Sequence, residues 1–216
     1  LDLDAEPSII NAALLSDFPG SDGLRVPGCL DGFELGVRAI LGQQITVQAA
    51  RTLGERLVER FGTELTEPGM GPHRLFPTPQ VLCQASGEDM GQLGIVRQRQ
   101  RAIQALAQAV TYNGLLLQPG VDIPETLAAL QALPGIGPWT AHYIAMRALR
   151  WPDAFVAGDV ALHKALGVQA ATNYPKQVAA AAEAASQRWK PWRSYAVVRA
   201  WATLAPTQPT KNAKRM

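Results

Sequence analysis

Cysteine is scarce in this chain: Cys29 and Cys83 are the only two among 216 residues, far apart and without CxxC spacing. Two thiols so placed cannot by themselves hold a structural zinc or an iron–sulfur cluster, and are expected to be reduced, core-filling side chains. That usage points to a reducing, cytoplasmic setting. Long apolar runs are missing as well, so no segment is expected to span a bilayer and no membrane partner is expected. The start lacks the basic n-region of a secretory signal, because Asp2, Asp4 and Glu6 stand there instead. It also lacks an initiator Met, opening at Leu1, which fits a piece of something longer. Charge of one sign is not in excess. At a formal net charge of +2, a nucleic-acid partner is neither demanded nor excluded, and a binder this neutral must place its charge locally or use backbone amides.

Hydrophobic residues make up 47% and charged residues 18%, the balance of a soluble globular protein long enough for one or two compact domains. Sustained alternation of period two is missing, so no extended sheet is expected; the pattern is helical almost throughout. Phe33, Leu35, Val37, Ile40 and Leu41 form an apolar stripe over Phe33–Gln43. Thr46 is placed to cap a second helix that Gly62 stops. The Pro/Gly-rich stretch Thr63–Pro79 reads as a surface loop, with Thr78-Pro79 as cap and first turn of a short helix to Ala85. A long amphipathic helix follows over Val96–Tyr112, stopped at Asn113-Gly114. Further helices are expected over Ile123–Leu133, about Trp139–Arg150, Val160–Leu166 and Tyr174–Leu204, the last interrupted at Pro191.

Two features carry chemistry. Leu133-Pro-Gly-Ile-Gly137 sits between two helical patterns, where Pro134 sets a turn and the glycines allow positive φ while leaving amides uncovered. Amides at the start of the next helix make an anion site suited to a phosphate; a plain helix–helix turn is the competing reading. Asp159 then opens a helix after Phe155-Val-Ala-Gly158, so it is an N-cap. The same placement orients a carboxylate for catalysis, and the two roles are compatible.

Leu133-Pro-Gly-Ile-Gly-Pro-Trp-Thr-Ala141 followed by Gly158-Asp159 resembles the helix-hairpin-helix (HhH-GPD) DNA glycosylase superfamily. Arg188-Trp-Lys-Pro-Trp-Arg-Ser-Tyr-Ala196 and Val37-Arg-Ala-Ile-Leu-Gly-Gln43 are similar to its 3-methyladenine glycosylase II branch, and the likeness runs from about Pro27 to Leu204. The resemblance implies an all-α, two-lobed fold with the active site between the lobes and the helix-hairpin-helix over about residues 123–150. The whole of residues 1–216 forms the glycosylase region, and the family's usual small N-terminal domain is expected to be absent. It further implies base excision repair of alkylated bases in double-stranded DNA, by a monomer that needs no cofactor for the chemistry.

By the same resemblance Asp159 is the catalytic carboxylate, either stabilising an oxocarbenium-like sugar or activating water, with Asp153 as the fallback. Trp139, Tyr143 and Trp201 line the pocket for an extruded base. Gly135, Gly137 and Thr140 contact DNA. Gln44 takes the place of the wedge that fills the gap in the stack, where some relatives carry Leu. Relatives that also cut the backbone carry a Lys after the second hairpin glycine; here Trp139 stands there, which implies base removal alone. A monovalent cation (Na⁺ or K⁺) is implied at the main-chain carbonyls of Gln131, Leu133 and Ile136. Arg97, Arg99 and Arg101 either touch the DNA backbone or form a solvated face. The competing functions are a DNA-binding module without chemistry and a glycosylase for another lesion.

Overall fold

A computed structural model describes residues 5–66, 71–168 and 174–204. The chain is helical: α1 spans Pro7–Leu14, α2 Gly32–Leu41, α3 Val47–Phe61, α4 Pro79–Gln84, α5 Gly87–Gln92 and α6 Arg97–Tyr112. The remainder are α7 (Ile123–Ala132), α8 (Pro138–Arg147), α9 (Val160–Ala165), α10 (Pro175–Ser186) and α11 (Arg193–Ala202), with a 3₁₀ turn over Gln187–Trp189. Among the described residues the β-pairing is one isolated antiparallel bridge, Glu64 to Arg74, inside the expected loop.

Local chemistry sets most helix starts. Asp31 accepts from the Glu34 amide at 2.9 Å to open α2, and Thr46 accepts from Ala49 at 3.2 Å to open α3. Thr78 caps α4 with Pro79 in its first turn. Two helices are unannounced in the sequence reading. For α1, Glu6 is the cap and Pro7 the first residue. For α5, Ser86 and Asp89 form a reciprocal cap, the Asp89 amide donating to Ser86 Oγ at 3.0 Å and that hydroxyl donating back to Asp89 Oδ2 at 2.6 Å. The expected helix to Arg150 ends instead at Arg147, and Arg150 turns to φ +58.

The stripe of α2 is buried as expected: Phe33, Leu35, Val37, Ile40 and Leu41 all face the core. This helix packs on α3, α6 and α8, while α6 packs also on α4 and α5. Gly36 lets α2 approach α6 closely, because a Cβ there would stand 2.8 Å from Leu106 Cδ2. At the other end of the chain, α9 lies against α10 and α11. One continuous apolar core joins both groups of helices, from Ile10 and Leu14 through Leu106 and Ile144 to Ala196 and Ala200. What this positions is two turns, α2–α3 and α7–α8, and the N-terminus of α9, all facing one cleft. No helix among the described residues is long and apolar enough to cross a membrane.

Candidate active site

The hairpin is built by two glycines with different reasons. Gly135 has φ +78, and a Cβ there would meet Ala102 Cβ of α6 at 2.9 Å, so both backbone and neighbour demand glycine. Gly137 does not use the positive φ that glycine allows: it is extended at φ −87, and a Cβ there would meet nothing within 4 Å. Its contribution is to open α8 without a side-chain cap. With Pro138 lacking an N–H, the amides of Trp139 and Thr140 begin the helix with no carbonyl one turn earlier to accept them. That is the electropositive end of a ten-residue helix.

Asp159 stands across the cleft. Its Oδ1 accepts the Leu162 amide at 2.7 Å, making it the N-cap of α9, and also the indole Nε1–H of Trp201 at 2.9 Å. Its Oδ2 accepts the indole Nε1–H of Trp139 at 3.1 Å. An ionised carboxylate is acceptor-only, and three N–H donors from three helices fix its plane. It remains half-buried, with an edge on a cleft of about 740 Å³ lined by Gly42–Thr46, Gly135, Gly137, Trp139, Thr140 and Gly158–Ala161.

The loop carrying Asp159 is itself held at several points. Arg193 forks onto Asp153 at 2.7 and 2.8 Å and reaches Glu183 at 2.9 Å. Ser194 Oγ bonds the carbonyls of Trp151 and Ala154. The Phe155 amide donates to His142 Nδ1 at 3.3 Å, and His163 Nε2–H donates to the Ala157 carbonyl at 2.5 Å. Burial, with Arg193 nearby, lowers the pKa of His142, which suits a ring nitrogen that must stay an acceptor. Asp153, the fallback carboxylate, is thus committed to a bidentate ion pair and does not line the cleft.

Of the three aromatic residues expected at the base pocket, Trp139 stands on the cleft. Tyr143 stacks behind it, ring centroids 5.2 Å apart and planes within 7°, and its hydroxyl accepts from Arg147 Nη1 at 2.9 Å. Trp201 stands behind Asp159 as a hydrogen-bond donor. Gln44 is exposed on the cleft rim at φ +56, an uncommon conformation for a residue with a Cβ. Thr140 lines the cleft although it is only 2% exposed, and its hydroxyl accepts from Gln43 Nε2. The arginine run divides. Arg97 and Arg101 are exposed, whereas Arg99 is half-buried and donates to the Gln43 carbonyl.

The family model for "HhH-GPD superfamily base excision DNA repair protein" matches residues 37–192. The chain belongs to the HhH-GPD superfamily. It is 37% identical over 202 residues to "DNA-3-methyladenine glycosylase 2" of Escherichia coli K12, covering 94% of this chain and 68% of that protein. It is 39% identical to the "Probable bifunctional transcriptional activator/DNA repair enzyme AlkA" of Mycobacterium tuberculosis, covering 94% of this chain but only 41% of that one. Among solved structures, the apo 8-oxoguanine glycosylase/lyase of Clostridium acetobutylicum superposes with a TM-score of 0.74 at 18% identity, over 94% of this chain and 72% of the other. That likeness speaks to the HhH-GPD fold alone. Within this superfamily member the hairpin, the cleft and Asp159 all fall inside or against the matched span.

The sequence assigns no role to Gln43, whose side chain bridges the α2–α3 turn to the hairpin. No local pattern flags Gln43, because its partners lie more than ninety residues away.

Proposed function

We propose that the chain is a monofunctional DNA glycosylase that hydrolyses the N-glycosidic bond of alkylated bases, of the 3-methyladenine and 7-methylguanine type, in duplex DNA. The observation that carries this is the Asp159 carboxylate, held by two indoles and an amide on a cleft whose opposite wall is an uncapped hairpin helix. Capping α9 alone would not call for the two indole donors that also hold the carboxylate at the cleft. The curated relatives named as 3-methyladenine glycosylases favour alkylated bases over other lesions.

In this reading the uncovered amides of α8 hold a backbone phosphate. The target nucleotide leaves the stack, at a cost of about a few kcal/mol, and Gln44 enters the gap. The extruded base lies against Trp139, whose electron-rich face attracts a cationic alkylpurine by about 0.5–2 kcal/mol. When the bond breaks, its electron pair returns to the base and neutralises that charge, so no strong acid is needed. Positive charge then develops on the sugar carbon, where Asp159 supplies fixed negative charge. Water adds to that carbon and gives up its proton, to Asp159 or to solvent. Nothing at position 139 attacks the sugar, since an indole is no nucleophile there, and an abasic site is the product.

A monovalent cation fits the hairpin carbonyls in one respect. The chain leaves helical geometry at Leu133 (ψ 138), so the last-turn carbonyls, Gln131 among them, lose their i+4 donors. Together with the carbonyls of Leu133 and Ile136 they would hold Na⁺ or K⁺ beside a phosphate, neutralising charge there without entering the chemistry.

The test is release of free 3-methyladenine and 7-methylguanine from methylated duplex DNA. Free base with strand breaks appearing only after alkali is the expected result. Strand breaks without alkali, or DNA binding with no base released, would overturn the reading.

A further inference from the structure

Gln43 joins two parts of the cleft that the chain keeps far apart in sequence. It directly follows Gly42, the C-cap of α2. Its side-chain Nε2 donates to the Gly135 carbonyl at 3.0 Å and to Thr140 Oγ1 at 2.9 Å. Its main-chain carbonyl accepts from Arg99 of α6. Thus the turn is fastened at once to the hairpin loop, to the first turn of α8, and to the helix beneath both.

The next residue, Gln44, sits at φ +56 on the cleft rim. Such a conformation persists where the surroundings over-determine it, and Gln43 is where the surroundings take hold. A side chain that enters a duplex is pushed back as the stack tries to reclose. If the turn were free, it would recoil and the base would return. Through Gln43 the recoil passes to Gly135 and Thr140, which belong to the hairpin that grips the backbone of the same DNA. Gly135 in turn lies on Ala102 of α6, so the load ends in the core.

We propose that Gln43 is a positioning residue for base extrusion: its carboxamide locks the wedge turn to the phosphate-binding hairpin, so that the two act on DNA as one clamp. This rests on the duplex glycosylase reading above, and Gln43 is not required to touch the reacting atoms. The role is specific to paired substrates. A lesion that is already unstacked needs no wedge, and so no brace behind it.

Gln43→Met keeps the length of the side chain and removes the donor, leaving the Gly135 carbonyl and the buried Thr140 hydroxyl without it. Gln43→Glu should act alike, since an ionised carboxylate cannot donate to a carbonyl. Single-turnover excision of one alkylated base would be compared in a fully paired duplex and at an unpaired bulge, with thermal melting as the check on folding. The ratio of paired to unpaired rates should fall about tenfold or more in both variants. Equal loss on the two substrates would make Gln43 a merely structural residue, and that result or an unchanged ratio would overturn the proposal.

A second readout does not need activity. A 2-aminopurine beside an abasic-site analogue brightens when the stack is opened; at saturating protein Gln43→Met should brighten it less than the wild type does. Equal brightening would overturn the proposal. Thr140→Val, which removes one acceptor from inside α8, should move both readouts in the same direction and by less. Should the wild type release no alkylated base from either substrate, the function reading fails, and the fluorescence alone then decides the role of Gln43.

Discussion

Trp201 donates its indole N–H to Asp159 across 2.9 Å, so the last helix of the described chain is fastened to the residue that opens α9. The bond places a residue usually read as core packing in direct support of the proposed catalytic carboxylate. Trp139 does the same from the hairpin side at 3.1 Å.

Trp201→Phe keeps an aromatic ring and removes only the donor. A hydrogen bond to a charged group contributes about 1.5–3 kcal/mol, and Leu162 and Trp139 continue to hold the carboxylate. Excision should slow by about tenfold or more, while affinity for abasic DNA stays within about twofold. Single-turnover rates and a binding isotherm would check this; loss of affinity with an unchanged rate would contradict it.

The two hairpin glycines should part company on replacement. Gly135→Ala forces a Cβ to within 2.9 Å of Ala102 at φ +78, and should cost about 2–4 kcal/mol of stability from strain and overpacking together. Gly137→Ala meets no neighbour within 4 Å at φ −87, and stability should hold within about 0.5 kcal/mol. The added methyl would still stand among the open amides, so DNA affinity should drop. Denaturant melts and titrations of both variants separate the effects.

His142 gives the fold a pH dependence of defined sign. Its pKa is lowered from an ordinary 6.5, first by burial and then by Arg193, against the weaker pull of Glu183 and Asp153. The folded state therefore binds fewer protons than the unfolded one between the lowered value and 6.5. This contribution is fully present above that ordinary value and is lost as pH falls through the lowered one. Protonation also removes the acceptor for the Phe155 amide. Stability measured by urea should decline on going to mildly acid pH, and His142→Gln should flatten that decline. An equal slope in the variant would count against the assignment.

Much of the fold is legible in the sequence where a signal is local. Thr46 and Thr78 announce their helices by side chains three residues from the amides they cap. The apolar stripe of α2 announces its buried face. The α5 helix escapes because Gly87 and Gly91 dilute six residues, although Ser86 and Asp89 carry a cap signature. At the site, the position of Asp159 as a cap and the place of Trp139 on the cleft could both be read from chain order and resemblance. The duties of Tyr143, Trp201 and Gln43 could not. Each depends on which atom of a side chain meets a partner 4, 42 or more than ninety residues away, and such pairings are decided by packing, not by the spacing of residue types. Arg99 illustrates the same limit, since alternation with Gln makes it look like its exposed neighbours Arg97 and Arg101.

Asp159→Asn separates the charge of the carboxylate from its role as a helix cap. Asparagine keeps the size of the side chain and an oxygen able to cap α9 through the Leu162 amide, while the negative charge is lost. Wild type and variant would be compared for release of 3-methyladenine from methylated duplex DNA, alongside melting temperature and affinity for abasic DNA. Folding and binding should be normal, with excision reduced by about 10²–10³ or more. Excision within a few-fold of wild type would contradict a catalytic role, because the carboxylate would then be only a helix cap.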